Sequence, residues 1–286
     1  MKFCPIPPIP NLSDFRSTGM HLCLAQLLDN QEYVRYYRHR AGAGDYIILD
    51  NGAHEGKQYD LQKLLQMARM LGASEVVIPD VPHNTELTLQ HFYFALESLE
   101  NGSYTEVLME ECHYPRLMYV PQVPLNDDAF TNFLKAVNRM NKRAVLTTND
   151  RLRFTLGVPL MYEKVAGGLH SLLDRITWCI EETGIEVHLL GWSRDLTTPI
   201  DIAHDFPGVR SCDSAKPFVF AKHGMDISEC VRKDNDSYPG RPSSYFTDPL
   251  TKQEVELARR NVDFCVRSLE YGNLPPLPES TNTVST

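Results

Sequence analysis

The sequence lacks any run near the roughly eighteen apolar residues that a membrane span needs. Its start, Met1-Lys2-Phe3-Cys4-Pro5-Ile6-Pro7-Pro8, is broken by proline and does not read as a signal peptide, so a cytoplasmic location is expected. The cysteines Cys4, Cys23, Cys112, Cys179, Cys212, Cys230 and Cys265 form no Cys-x-x-Cys or Cys-x-Cys pair. That spacing argues against both a disulfide framework and a clustered zinc site, and no metal is expected. No strand is followed by Gly-x-Gly-x-x-Gly or by a Walker A motif, which weakens the dinucleotide and P-loop folds, and no internal repeat is visible. Positive charge is also short: 28 Lys and Arg face 37 Asp and Glu, a formal net charge of −9. Such a chain does not coat nucleic acid indiscriminately, although a local basic groove stays open.

What is present is an ordinary globular composition, 42% apolar and 23% charged over 286 residues, enough for one large domain or two smaller ones. Short β-rich runs at Tyr46 to Leu49, Glu75 to Ile78, Leu117 to Val120, Ala144 to Leu146, Val187 to Leu190 and Val209 to Cys212 alternate with helical patterns. Those patterns cover Asp60 to Leu71, Thr85 to Leu99, Asp127 to Met140 and Leu169 to Glu182, the last stopped by Gly184. Most of the runs are continuously apolar, as parallel strands buried on both faces require. The series predicts an α/β fold, a single (β/α)8 TIM-type barrel over residues 1–272 with no zinc subdomain, followed by a Pro/Ser/Thr tail over 273–286. Lys233 to Pro249 reads as a long loop, and Thr251 to Glu270 as a terminal helix with Thr251 as N-cap and Glu254 three residues on.

Polar residues fall where strands end: Asp50, Asp80, Gln122, Gly191 and Asp213. Strand C-termini converge on one mouth in a barrel, so groups far apart in sequence meet there. Taken singly, Asp50-Asn51-Gly52 also fits an Asx turn, Asp213 a helix cap, and Asp80, held between Pro79 and Pro82, a loop carboxylate. Taken together, paired carboxylates suit glycosidic chemistry, in which one attacks the anomeric carbon and the other moves the leaving group's proton. His188 in mid-strand is expected to orient a neighbour through a hydrogen bond. Tyr119 and Tyr162 are either stacking faces or core aromatics. Tyr33 to Arg40, which interleaves aromatic and basic residues, is either a nucleic-acid contact or a half-exposed helix.

Cys212-Asp213-Ser214-Ala215-Lys216-Pro217-Phe218-Val219-Phe220-Ala221-Lys222 resembles a motif of the tRNA-guanine transglycosylase superfamily. In the same order, Leu49-Asp50-Asn51-Gly52-Ala53, Pro79-Asp80-Val81-Pro82, Val120-Pro121-Gln122, Leu156-Gly157-Val158-Pro159 and Val187-His188-Leu189-Leu190-Gly191 are similar to its other motifs, the fourth to a glycine-rich loop. The family's C-terminal zinc motif and appended RNA-binding domain are absent, and Asn51 and Ala53 depart from the usual pattern. These features resemble the compact phage and bacterial 7-deazaguanine DNA transglycosylases, which would make the location the host cytoplasm if the chain is phage encoded.

The resemblance implies an enzyme that exchanges guanine in DNA for a 7-deazaguanine of the preQ0 type through a covalent glycosyl-aspartate, without cofactor or metal. Asp213 would be the nucleophile and Asp50 the general acid and base, an assignment that sequence leaves reversible. Asp80, Gln122, Gly157, Gly191, Asn51, His188 and Ser214 would bind the base, while Arg194, Lys216 and Lys222, with Arg210, would lie near the mouth and hold phosphates. The partners would be DNA, with its guanine flipped or single stranded, and a free 7-deazaguanine. The alternatives are the same chemistry on tRNA, a non-catalytic nucleic-acid-binding barrel, and an unrelated barrel hydrolase.

Overall fold

The computed structural model describes residues 1–15, 18–101, 115–146, 154–165, 167–192, 196–232 and 238–274. Its eight strands are β1 (Lys2–Pro5), β2 (Met20–Leu24), β3 (Tyr46–Asp50), β4 (Glu75–Val77), β5 (Arg116–Tyr119), β6 (Phe154–Pro159), β7 (Glu186–Leu190) and β8 (Val209–Ser214). All pair in parallel, in the order β1-β8-β7-β6-β5-β4-β3-β2, and β1 lies beside β2, so the sheet curls into a nearly closed ring. Helices α1 (Gln31–Gly42), α2 (Leu61–Leu71), α3 (Thr85–Glu100), α4 (Ala129–Leu146), α5 (Gly168–Thr183) and α6 (Thr198–Asp205) connect successive strands from β2 onward. This is the (β/α)8 architecture.

Between β1 and β2 the described residues form only a 3-10 turn, Ile9–Asp14. After α7 (Lys216–Lys222) and α8 (Ile227–Arg232), the last helix, α9 (Lys252–Tyr271), packs on α6, α7 and β1, and so covers the wall that lacks its own helix. Its start is fixed by the expected capping box: Glu254 N–H donates to Thr251 Oγ1 at 3.3 Å, and Thr251 N–H to Glu254 Oε2 at 2.6 Å.

Alternate strand residues divide two cores. Cys23, Ile47, Leu49 and Val76 face α1 and α2, where they pack with Tyr33, Tyr37, Leu64 and Ala68. The residues between them, Met20, Leu22, Leu24, Ile48 and Val77, join Cys4, Met118 and Val120 inside the ring. Gly157 is what lets this filling close. A Cβ there would stand 2.7 Å from Val120 Cγ2, 2.9 Å from Met118 Sδ and 3.1 Å from Leu190 Cδ1. Gly157→Ala is therefore expected to cost roughly 1–3 kcal/mol of overpacking, read as a lower midpoint in chemical denaturation.

The floor of the barrel, at the N-terminal ends of the strands, is polar. Glu75, fully buried, accepts from Tyr46 Oη at 2.6 Å and from Thr155, and pairs with Arg210 at 2.9 Å. Arg210 also reaches Glu186 at 3.1 Å, which binds Arg116 in turn. Four of these six residues carry formal charges, two of each sign, so the buried carboxylate is compensated on the spot.

Several sequence expectations are corrected here. Ala144 to Leu146 is not a strand but the end of α4, whose apolar stripe of Phe130, Phe133, Val137 and Met140 carries the helical period onward. The strand lies further along, at Phe154–Pro159, so Leu156 to Pro159 is no glycine-rich loop: Gly157 sits in mid-strand, in register with His188. Arg210, the second residue of β8, lies at the floor, not the mouth, because its guanidinium answers Glu75 and Glu186. Tyr33 and Tyr37 turn inward from α1: Tyr33 Oη accepts from Leu24 N at 2.9 Å and Tyr37 Oη donates to Leu22 O at 3.3 Å, so these rings anchor β2. Residues 233–237 of the expected loop and 275–286 of the expected tail lie outside the described residues.

Candidate active site

Because all eight strands run the same way, Asp50 at the end of β3, Asp80 just beyond β4, Gln122 just beyond β5, Gly191 just beyond β7 and Asp213 near the end of β8 open onto one end of the ring. Asp50 lies within electrostatic reach of both Asp80 and Asp213. The two carboxylates nevertheless have different settings.

Asp213 is buried and anchored through one oxygen. Gly191 N–H donates to Oδ1 at 2.9 Å and His188 Nε2 stands 3.2 Å from the same atom. Gly191 turns its N–H inward from a left-handed conformation with φ 89°, which a side chain rarely tolerates. Among the described residues nothing bonds Oδ2.

Asp50 retains some exposure, yet burial among its neighbours pushes its carboxyl up to about 7; the hydrogen bond from Gly52 N–H, 2.9 Å to Oδ2, opposes this only in part. Glu55, Asp80 and Asp213 add like-charge repulsion. A carboxyl poised there is half protonated near neutrality and suited to both giving and taking a proton. The Asx-turn reading also holds, since Gly52 and Ala53 N–H groups bond the side chains of Asp50 and Asn51, both at 2.9 Å.

Asn51, Asp80 and Gln122 form a buried network across three strand ends. Asn51 Nδ2 donates to Asp80 Oδ1 at 2.5 Å and to Ile78 O at 2.7 Å, while Gln122 Nε2 donates to Asp80 Oδ2 at 2.6 Å. Burial raises the Asp80 carboxyl, against the two amide donors that favour its charged form. Each oxygen keeps lone pairs, so the fixed carboxylate presents two parallel acceptors.

Tyr162 supports this arrangement from behind. Its Oη donates to Pro121 O at 3.1 Å and accepts from Val123 N at 3.0 Å, bracketing Gln122. It is thus a buried brace rather than a stacking face, and Tyr119 is a fully buried aromatic beside Phe92.

The remaining expected contacts divide. Ser214 Oγ accepts from Lys216 N, the first residue of α7, at 3.0 Å. Lys216 is buried, with Nζ 5.1 Å from the centroid of the Tyr238 ring. Lys222 stands at the far end of α7 from Lys216, 3.6 Å from Asp248. Arg194 lies outside the described residues.

One residue escaped the sequence reading. Gln26, in the turn after β2, buries both amide atoms with no hydrogen-bond partner among the described residues, and its Oε1 lies where a Cβ at Gly52 would come within 2.7 Å. The signal was a polar residue at a strand end, hidden because β2 itself was not recognised. Among the described residues no three His, Cys, Asp or Glu side chains gather as a metal site, and no helix is long and apolar enough to cross a membrane. No family model and no curated protein matches this chain.

Proposed function

We propose that this barrel is a base-exchange enzyme that replaces guanine in DNA with a 7-deazaguanine through a covalent glycosyl-aspartate. The observation that carries the reading is the inequality of two carboxylates at one mouth: Asp213 with one oxygen anchored and the other unbonded among the described residues, and Asp50 raised to about 7. Environments that set two acids apart are how a site divides a nucleophile from a proton carrier.

Asp213 Oδ2 attacks C1′ as the bond to guanine N9 breaks, and protonated Asp50 supplies the proton that guanine takes as it leaves. The incoming 7-deazaguanine then loses its N9 proton to Asp50 and attacks C1′, expelling Asp213, so two inversions restore the configuration. The paired acceptors of Asp80 complement the N1–H and exocyclic N–H donors that both bases present, which accounts for reading leaving and entering base in one pocket. A nucleotide inside a duplex hides C1′, so the substrate is single stranded or flipped. The same chemistry on tRNA is the second reading, favoured by the family resemblance alone.

The test is nucleoside mass spectrometry on DNA and tRNA incubated separately with purified protein and a free 7-deazaguanine. Label appearing in DNA is expected. Label in tRNA alone moves the reading to the second polymer, and label in neither removes it.

A further inference from the structure

A line of polar side chains runs through the barrel interior from its floor to Asp213, and its two ends are chemically one-way. At the floor, Arg210 Nη2 lies 2.9 Å from Glu75 Oε2, while Arg210 Nε donates to Ser211 Oγ at 3.3 Å. Ser211 Oγ is 2.7 Å from His188 Nδ1, and His188 Nε2 is 3.2 Å from Asp213 Oδ1. Ser211 and His188 are entirely shielded from solvent.

An arginine can only donate and an ionised aspartate only accept, so the hydrogens between them can be ordered in a single sense. Arg210 gives to Ser211, the Ser211 hydroxyl gives to His188 Nδ1, and His188 Nε2–H gives to Asp213. Each of these groups is then satisfied with a neutral imidazole. A doubly protonated His188 would make Ser211 Oγ accept from two sides and leave its own hydrogen without an acceptor in a dry interior.

We propose that Ser211 is a positioning residue. With Arg210 it locks His188 as the neutral Nε2–H tautomer, and this lock fixes Asp213 Oδ1 so that Oδ2 faces the sugar. The charged and titratable groups around the line include Cys4 on β1, Tyr46 and Asp50 on β3, Glu75 on β4, and Glu186 on β7; β6 places Gly157 opposite His188. The catalytic part of the inference rests on Asp213 being the nucleophile. The tautomer does not.

The experiment is therefore double. Nitrogen-15 NMR of ring-labelled histidine at pH 7.5, with His188 assigned by His188→Gln, is expected to show Nε2 protonated and Nδ1 bare in the full-length protein. Ser211→Ala is expected to lose that pattern, because Nδ1 no longer has a donor facing it, and Ser211→Thr to restore it. In the exchange assay Ser211→Ala should lower kcat on the order of tenfold with KM little changed, and Ser211→Thr should recover most of the loss. A doubly protonated or Nδ1–H imidazole in the wild type overturns the lock, as does an unchanged His188 pattern in Ser211→Ala. A normal lock in a protein without exchange activity would instead overturn the proposed function and leave the lock standing.

Discussion

Asp213→Asn is expected to reduce base exchange below about 10⁻⁴ of wild type and to eliminate the covalent adduct between protein and DNA on a denaturing gel. The argument lies in the two oxygens. The Gly191 N–H and His188 Nε2 both address Oδ1, so an asparagine settles with its carbonyl oxygen there and its amide nitrogen where Oδ2 stood. Folding survives, since the anchoring contacts remain. Nucleophilicity does not, since an amide nitrogen has no lone pair available to make a glycosyl ester. The companion measurement is the same gel with Asp50→Asn, which is expected to retain the adduct. An adduct that persists in Asp213→Asn and vanishes in Asp50→Asn would exchange the two roles.

Asp50→Asn is expected to slow exchange by roughly 10²–10⁴-fold, the usual contribution of general acid and base catalysis, with DNA binding retained. In the proposed mechanism the first half-reaction needs the protonated form of Asp50. Burial sets that carboxyl at about 7, so guanine release should fall as pH rises through 7, and the variant should lose this limb. The same group makes a statement about stability. Its folded value lies above the ordinary 3.8, so between about 4 and 7 the folded chain holds a proton that the unfolded chain has released. Stability of the wild type therefore declines as pH rises across that window, and asparagine is exempt. Asp50→Asn should unfold at higher temperature than wild type at pH 8, by an amount on the order of 2 kcal/mol because residual exposure screens the full shift, and the gain should vanish at pH 4. A variant that is slower but no more stable at pH 8 would show that Asp50 is not the buried, raised acid required here.

The alternation of apolar runs and helical periods made the barrel legible, and strand ends marked its mouth. What stayed hidden has specific causes. β1 was concealed by Pro5 at its end, yet Pro5 keeps its place in the strand, in register with Ser214 of β8. β6 was concealed by Gly157 and Pro159, a loop-like pair in sequence that serves interior packing in space. Arg210 seemed to belong to the mouth because it precedes Asp213 by three residues, but a strand advances about 3.3 Å per residue and carries the two toward opposite ends. Which oxygen of Asp213 is held, and by what, depends on contacts between β7 and β8 that no spacing within either strand encodes. The same holds for Tyr162, whose bonds to Pro121 and Val123 join segments some forty residues apart.

The pairing of β1 with β8 also sets the order in which the molecule can be finished. Lys2 to Pro5 leaves the ribosome well before its hydrogen-bonded neighbour on that side, Ser211 to Ser214, which lies roughly two hundred residues later. A chain released only through β7 holds Asp50, Asp80 and Gln122 but no Asp213. Closing so long a loop is slow and comes near the end of folding, so a nascent or truncated barrel carries the proposed proton carrier and base-reading network without the proposed nucleophile. Asp213 and ring closure thus arrive together, so under the proposed function a partly folded chain could not open a glycosidic bond.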